Sequence, residues 1–151
     1  MEAGVRFPLG ALKNFFIVFI LISCQTYKLG HQEELILAVS KGQLSKVKDL
    51  INRGADVNTK DNDGKTILHI AIENNYEDIV KFLIQNKADV NIKDNEGNTP
   101  LHLAIKNNND FIVKLLLKAG ARKDIKNNEG KTPLELAKEI DNPEILKLLN
   151  E

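Results

Sequence analysis

The sequence predicts an all-α repeat solenoid of about four units, caps included, and three observations carry that prediction. The chain repeats itself at a fixed period of 33, so that residues 61–93 lie over 94–126 with 17 of 33 positions identical. Gly64, Gly97 and Gly130 recur in step, as do Thr66, Thr99 and Thr132, and the rows continue through Leu68, Leu101 and Leu134 and through Ala71, Ala104 and Ala137. Between these fixed points, apolar residues at spacings of three and four alternate with clusters of Asp, Asn and Gly. That is the pattern of short helices separated by tight turns.

The first element is a leader. Residues 1–14 carry Arg6 and Lys13 against Glu2, and FFIVFILIS follows from Phe15 to Ser23, in the charged-then-apolar order of an export signal. As a helix the run to Cys24 would span only about 15 Å, roughly half of a hydrocarbon core. It is too short for a comfortable transmembrane helix. Leu21-Ile22-Ser23-Cys24, with the chain's single cysteine, resembles the bacterial lipobox. The resemblance implies a lipoprotein-type signal peptide over 1–23, cleavage before Cys24, lipidation of its thiol, and a spacer over 24–30. The chain would then be lipid-anchored in a bacterial cell envelope, on its periplasmic or surface face. Each buried methylene contributes about 0.8 kcal/mol and one acyl chain holds only marginally, so two or three chains suit such an anchor. An uncleaved, single-pass signal anchor, in which Cys24 is incidental, is the alternative.

The repeat units follow over 31–151, at approximately 31–60, 61–93, 94–126 and 127–151. Thr66, Thr99 or Thr132 opens a short helix as N-cap, accepting a bond from an orphan backbone N–H. Pro100 and Pro133 occupy the first helical position, where a missing N–H is harmless. The shared alanine lets the neighbouring unit approach closely. Gly42, Asn75 and Asn108 stop the first helix, since both residue types tolerate the left-handed conformation. A second helix, as in DIVKFLIQN and FIVKLLLKA, presents apolar residues to the core, and Gly54 and Gly120 end it. In the last unit Asn142 and Pro143 supply a fresh cap and first-turn pair. The links rich in Asp, Asn and Gly carry the signals of tight, sideways-projecting turns.

Helix, turn, helix and projecting β-hairpin loop at this period, with Thr99-Pro100-Leu101-His102-Leu103-Ala104, resemble the ankyrin repeat. The first unit has Glu33 and Ile36 where Thr and His would stand, and the last is short, so both read as caps. Ile67 replaces a proline and Lys87 a glycine; a lysine there is strained at positive φ unless the turn differs. Arg122 and Lys123 replace an Asp-Val pair for no reason visible in sequence.

Composition and motifs exclude several functions. Lys plus Arg and Asp plus Glu are 21 each, so there is no positive excess to hold a nucleic acid backbone. His69 and His102 stand at equivalent positions about 10 Å apart, too far to share an ion through ~2 Å bonds. The resemblance makes them structural, hydrogen-bonding residues. The carboxylates Asp61, Asp63, Asp94, Glu96 and Glu129 recur at turn positions, as a solvated tip needs, and no nucleophile or phosphate-cradling motif appears. The reading is a chain that is not an enzyme, with no cofactor, metal, nucleic acid or small-molecule substrate.

What the resemblance does imply is a surface. Partners of ankyrin repeats are held by loop tips and the exposed end of the first helix of each unit. Those positions are Asn62, Asp63, Lys65, Glu73 and Asn74, then Asn95, Glu96, Asn98, Lys106 and Asn107, then Asn128, Glu129, Lys131, Glu139 and Ile140. The set is polar, mixed in charge and without the aromatic residues that dominate hot spots. The expectation is a non-enzymatic protein-binding module with a modest, salt-sensitive contact to an unidentified protein. A secreted effector of a host-associated microbe, or a protective, immunity-type partner of an envelope enzyme or toxin, are the alternatives.

Overall fold

The computed structural model of the chain describes residues 9–151; within that stretch the side chains of residues 9–13 and 24–29 are not described. The N-terminal part of the expected signal peptide and the thiol of Cys24 therefore lie outside the described residues.

Eight helices follow one another among the described residues: α1 (Leu9–Ser40), α2 (Leu44–Asn52), α3 (Ile67–Glu73), α4 (Glu77–Gln85), α5 (Pro100–Lys106), α6 (Asp110–Lys118), α7 (Pro133–Ile140) and α8 (Pro143–Asn150). The end of α1 pairs with α2 as the first unit, and α3 with α4, α5 with α6 and α7 with α8 as the next three. Inner helices α1, α3, α5 and α7 pack in succession, and α2, α4, α6 and α8 form a second, outer row.

The stack is held by the same residues in each layer. Ala38, Ala71, Ala104 and Ala137 are each at most 1 % exposed, and a methyl side chain there is what allows the inner helices to touch. Val47, Val80 and Val113 with Leu50, Leu83 and Leu116 fill the space between the rows. Each fully buried Leu or Ile side chain contributes about 1.5–3 kcal/mol, and none of these layers could bury its residues without its neighbour.

Helix ends follow the predicted chemistry. Thr66 accepts from the amide of His69 at 3.4 Å and Thr132 from that of Glu135 at 3.3 Å. Asn142 accepts from Glu144 and Ile145, starting α8. Gly42, Asn75 and Asn108 all have positive φ, as do Gly54 and Gly120. Lys87 adopts φ +66°, so the turn keeps its glycine geometry and the lysine carries the strain. Arg122 and Lys123 also gain an explanation: Arg122 forks onto Asp124 through bonds of 3.1 and 2.6 Å, and Lys123 donates to the carbonyl of Leu149 at the end of α8.

The projecting loops differ in one respect from the hairpins expected. Among the described residues there is no strand, only an isolated antiparallel bridge between Lys60 and Thr66. Side chains do the work of a ladder. Asp61 Oδ1 accepts from the amides of Asp63 and Lys65, Asp94 Oδ1 from Glu96 and Asn98, and Asn127 Oδ1 from Glu129 and Lys131. Such Asx turns close a tip too short for regular pairing.

α1 runs unbroken from the leader through the expected spacer into the first unit. Phe15 to Ile22 are each half or more exposed, on every side of the helix. No helix among the described residues is long and apolar enough to cross a membrane.

Candidate functional site

The candidate face is the angle between the loop tips and the exposed ends of α3, α5 and α7. It begins with the loops, which are stitched to one another across the period. Asn95 donates its amide to Asp63 O, and Asn128 to Glu96 O, each at 3.0 Å. Their side-chain amides repeat the gesture, from Asn95 to Asn62 O and from Asn128 to Asn95 O. These asparagines hold the row of tips in line, leaving Asn62 and the carboxylates of Asp63, Glu96 and Glu129 exposed along its edge.

Asn98 corrects the expected set. It is 1 % exposed, because its Oδ1 accepts from the buried Asn127 and its side-chain amide donates to Glu96 Oε2 at 3.0 Å. The exposed side chain at this point is that of Glu96, and Asn98 only braces it. Asn107 is half-buried and caps the preceding unit, donating to Ile72 O at 2.7 Å, while Asn74 donates to Ile70 O of its own helix.

The charges of the face are largely spent on each other. Lys65 Nζ lies 2.7 Å from Glu73, and Lys131 Nζ lies 2.9 Å from Glu139 and 3.4 Å from Glu129. The bond from Glu73 holds the Lys65 ammonium above its ordinary pKa, and that from Glu139 does the same for Lys131. In the third unit the corresponding positions are Asn98 and Lys106, which form no ion pair. Lys106 is therefore an exposed cation between two neutralised units, with Ile140 half-buried beside the last of them.

The histidines below this face are structural in geometry. His69 Nδ1 accepts from the Thr66 amide at 3.1 Å, and Nε2 donates to Asn98 O at 3.1 Å. His102 repeats both bonds with Thr99 and Lys131 O. Burial lowers the pKa of each ring, so each is neutral with its proton on Nε2. Both nitrogens are committed, which leaves neither for a metal or for proton transfer. At the equivalent position Glu135 closes the same box inside its own unit, taking the Thr132 amide at 2.7 Å, and that bond holds its carboxyl below the usual range. Among the described residues no group of three or more His, Cys, Asp or Glu is placed to hold a metal ion.

Two features of the face escaped sequence reasoning. Lys60, Lys93 and Lys126 form an exposed column on the near leg of the loops, at the same 33-residue spacing, so the period itself could have found them. Lys60 also lines, with Ile36 and Leu37, an open cavity of about 590 Å³ at the first unit. That cavity had no signal in sequence, since Leu37 occupies a register position that reads as core.

A family model described as ankyrin repeats (3 copies) matches the chain over residues 11–94, 35–127 and 86–151. Potassium channel KOR2 of Oryza sativa subsp. japonica is 46 % identical over 59 residues, 36 % of this chain and 8 % of the channel. The likeness thus covers less than a tenth of that relative. Taken with four stacked helix pairs, tied loops and Thr-to-His boxes, the family match, which spans far more than half of the sequence, shows that this chain belongs to the ankyrin-repeat family.

Proposed function

We propose that this chain is a non-enzymatic protein-binding module, exported and tethered through a lipidated Cys24. The observation that carries the binding reading is the division of labour within the period. Positions that repeat and are buried build the stack, while Asp63, Glu96 and Glu129 and the column of Lys60, Lys93 and Lys126 repeat on one exposed face, joined there by Lys106, whose counterparts are Glu73 and Glu139. A rigid, polar face of this kind recognises another protein through charge placement.

The tethering reading is supported by the lipobox-like residues 21–24 and by the apolar surface of Phe15–Ile22, which no described part of the chain covers. The two readings are tested separately. Mass spectrometry of the chain from a bacterial envelope should find diacylglycerol-modified Cys24 at the N-terminus; an unmodified Cys24 still joined to Ser23 overturns the anchor. Reversing Lys93, Lys106 and Lys126 to glutamate should weaken a co-purified partner and flatten the salt dependence of its binding. Unchanged affinity would remove this face from the interaction.

A further inference from the structure

We propose that the partner is anchored by an apolar side chain seated on Leu37, carried by a peptide segment with a basic residue beside it. This rests on the protein-binding reading and locates its centre.

Leu37 shares its register position with Ile70, Leu103 and Leu136, which are 7, 7 and 6 % exposed, yet it is 50 % exposed itself. Two differences set the first unit apart, and the second accounts for the gap. In the second and fourth units Lys65 pairs with Glu73, and Lys131 with Glu139. In the first unit those positions are Gln32 and Ser40, and the Ser40 hydroxyl turns back to donate to Ile36 O at 2.6 Å. The third unit lacks the bridge as well but keeps Leu103 covered, so the flank supplied by a preceding helix pair matters more. Upstream of Leu37 the chain is the rest of α1 in place of such a pair.

The result is apolar floor left open in a cavity of about 590 Å³, between the end of α1 and the loop at 60–62. That is within the roughly 300–1,000 Å³ of ordinary binding clefts. The rim selects the occupant. Glu33 stands on the helix side and Lys60 with Asp61 on the loop side, so two carboxylates face one ammonium and a basic residue is favoured beside the apolar one. Neither Glu33 nor Lys60 joins an ion pair among the described residues. Ile70, Leu103 and Leu136 are closed off in the other units, so this is where apolar burial adds most to charge matching.

The test is a displayed library of short random peptides, selected on the full chain in mild detergent. The enriched peptides should share an apolar residue beside a base. Leu37→Glu should weaken them by at least about tenfold with an unchanged thermal melt, since the side chain is already half exposed. Peptides that bind Leu37→Glu undiminished but fail on Lys106→Glu overturn the anchor and leave the binding face standing. Peptides indifferent to both changes overturn both. A library yielding no binder overturns the anchor, and self-association of the chain that Leu37→Glu abolishes would place a second copy there instead.

Discussion

His69 donates its Nε2 proton to the carbonyl of Asn98, 29 residues away, across 3.1 Å, while its Nδ1 takes the Thr66 amide. One ring thereby caps its own helix and pins the next loop. Replacing His69 with leucine strands the Thr66 N–H and shears the loop contact, at a cost of about 2–3 kcal/mol. Urea denaturation should show this as a lower midpoint. Glu135→Leu, whose box lies within one unit, should lose less.

The same burial makes the fold sensitive to acid. Both histidines have pKa values depressed in the folded chain by loss of solvent, so between that lowered value and the unfolded pKa of about 6.5 the unfolded state binds more protons. Stability is fully present above about pH 6.5 and falls as pH drops through the folded values. Urea midpoints at successive pH values should decline in that window, ahead of the carboxylates. A His69→Gln, His102→Gln double variant should lose most of that slope.

Lys87 holds φ +66° where its counterparts are Gly54 and Gly120. An L side chain in that region costs about 1–2 kcal/mol, partly offset by the larger unfolded-state entropy of glycine. Lys87→Gly should therefore raise stability by about 0.5–1 kcal/mol, read as a higher melting temperature. A lower one would mean that the lysine side chain contributes packing.

Gly97 and Gly130 share a positive φ, +76° and +75°, but not a neighbour. A Cβ on Gly97 would meet Asn128 Oδ1 and stand 2.7 Å from its amide nitrogen, whereas one on Gly130 meets nothing within 4 Å. Gly130→Ala should cost only the conformational ~1–2 kcal/mol; Gly97→Ala should cost more, because it also pries two loops apart. Equal losses in chemical denaturation would show that the tips are not held by this close approach.

Asn107→Ala removes the bond from α5 to the end of α3 and should cost about 1 kcal/mol. Because Asn107 stands at a predicted binding position, its effect on a partner needs reading against this loss. A binding change with an unaltered denaturation midpoint would assign it to recognition.

The period of 33 made the stack legible, because a unit that cannot bury its own apolar flank must repeat the residues that dock it to the next. Thr caps, stop signals and the Ala, Val and Leu layers are local or periodic requirements, and each stands in the sequence by type and spacing. What escaped is of a different kind. The burial of Asn98, the mutual neutralisation of Lys65 with Glu73 and Lys131 with Glu139, and the exposure of Leu37 depend on side chains brought together from different units and on which flank is left without one. Composition at a position fixes what a residue prefers; only the neighbours assembled by the fold decide whether that preference is met inside the stack or remains available to a partner.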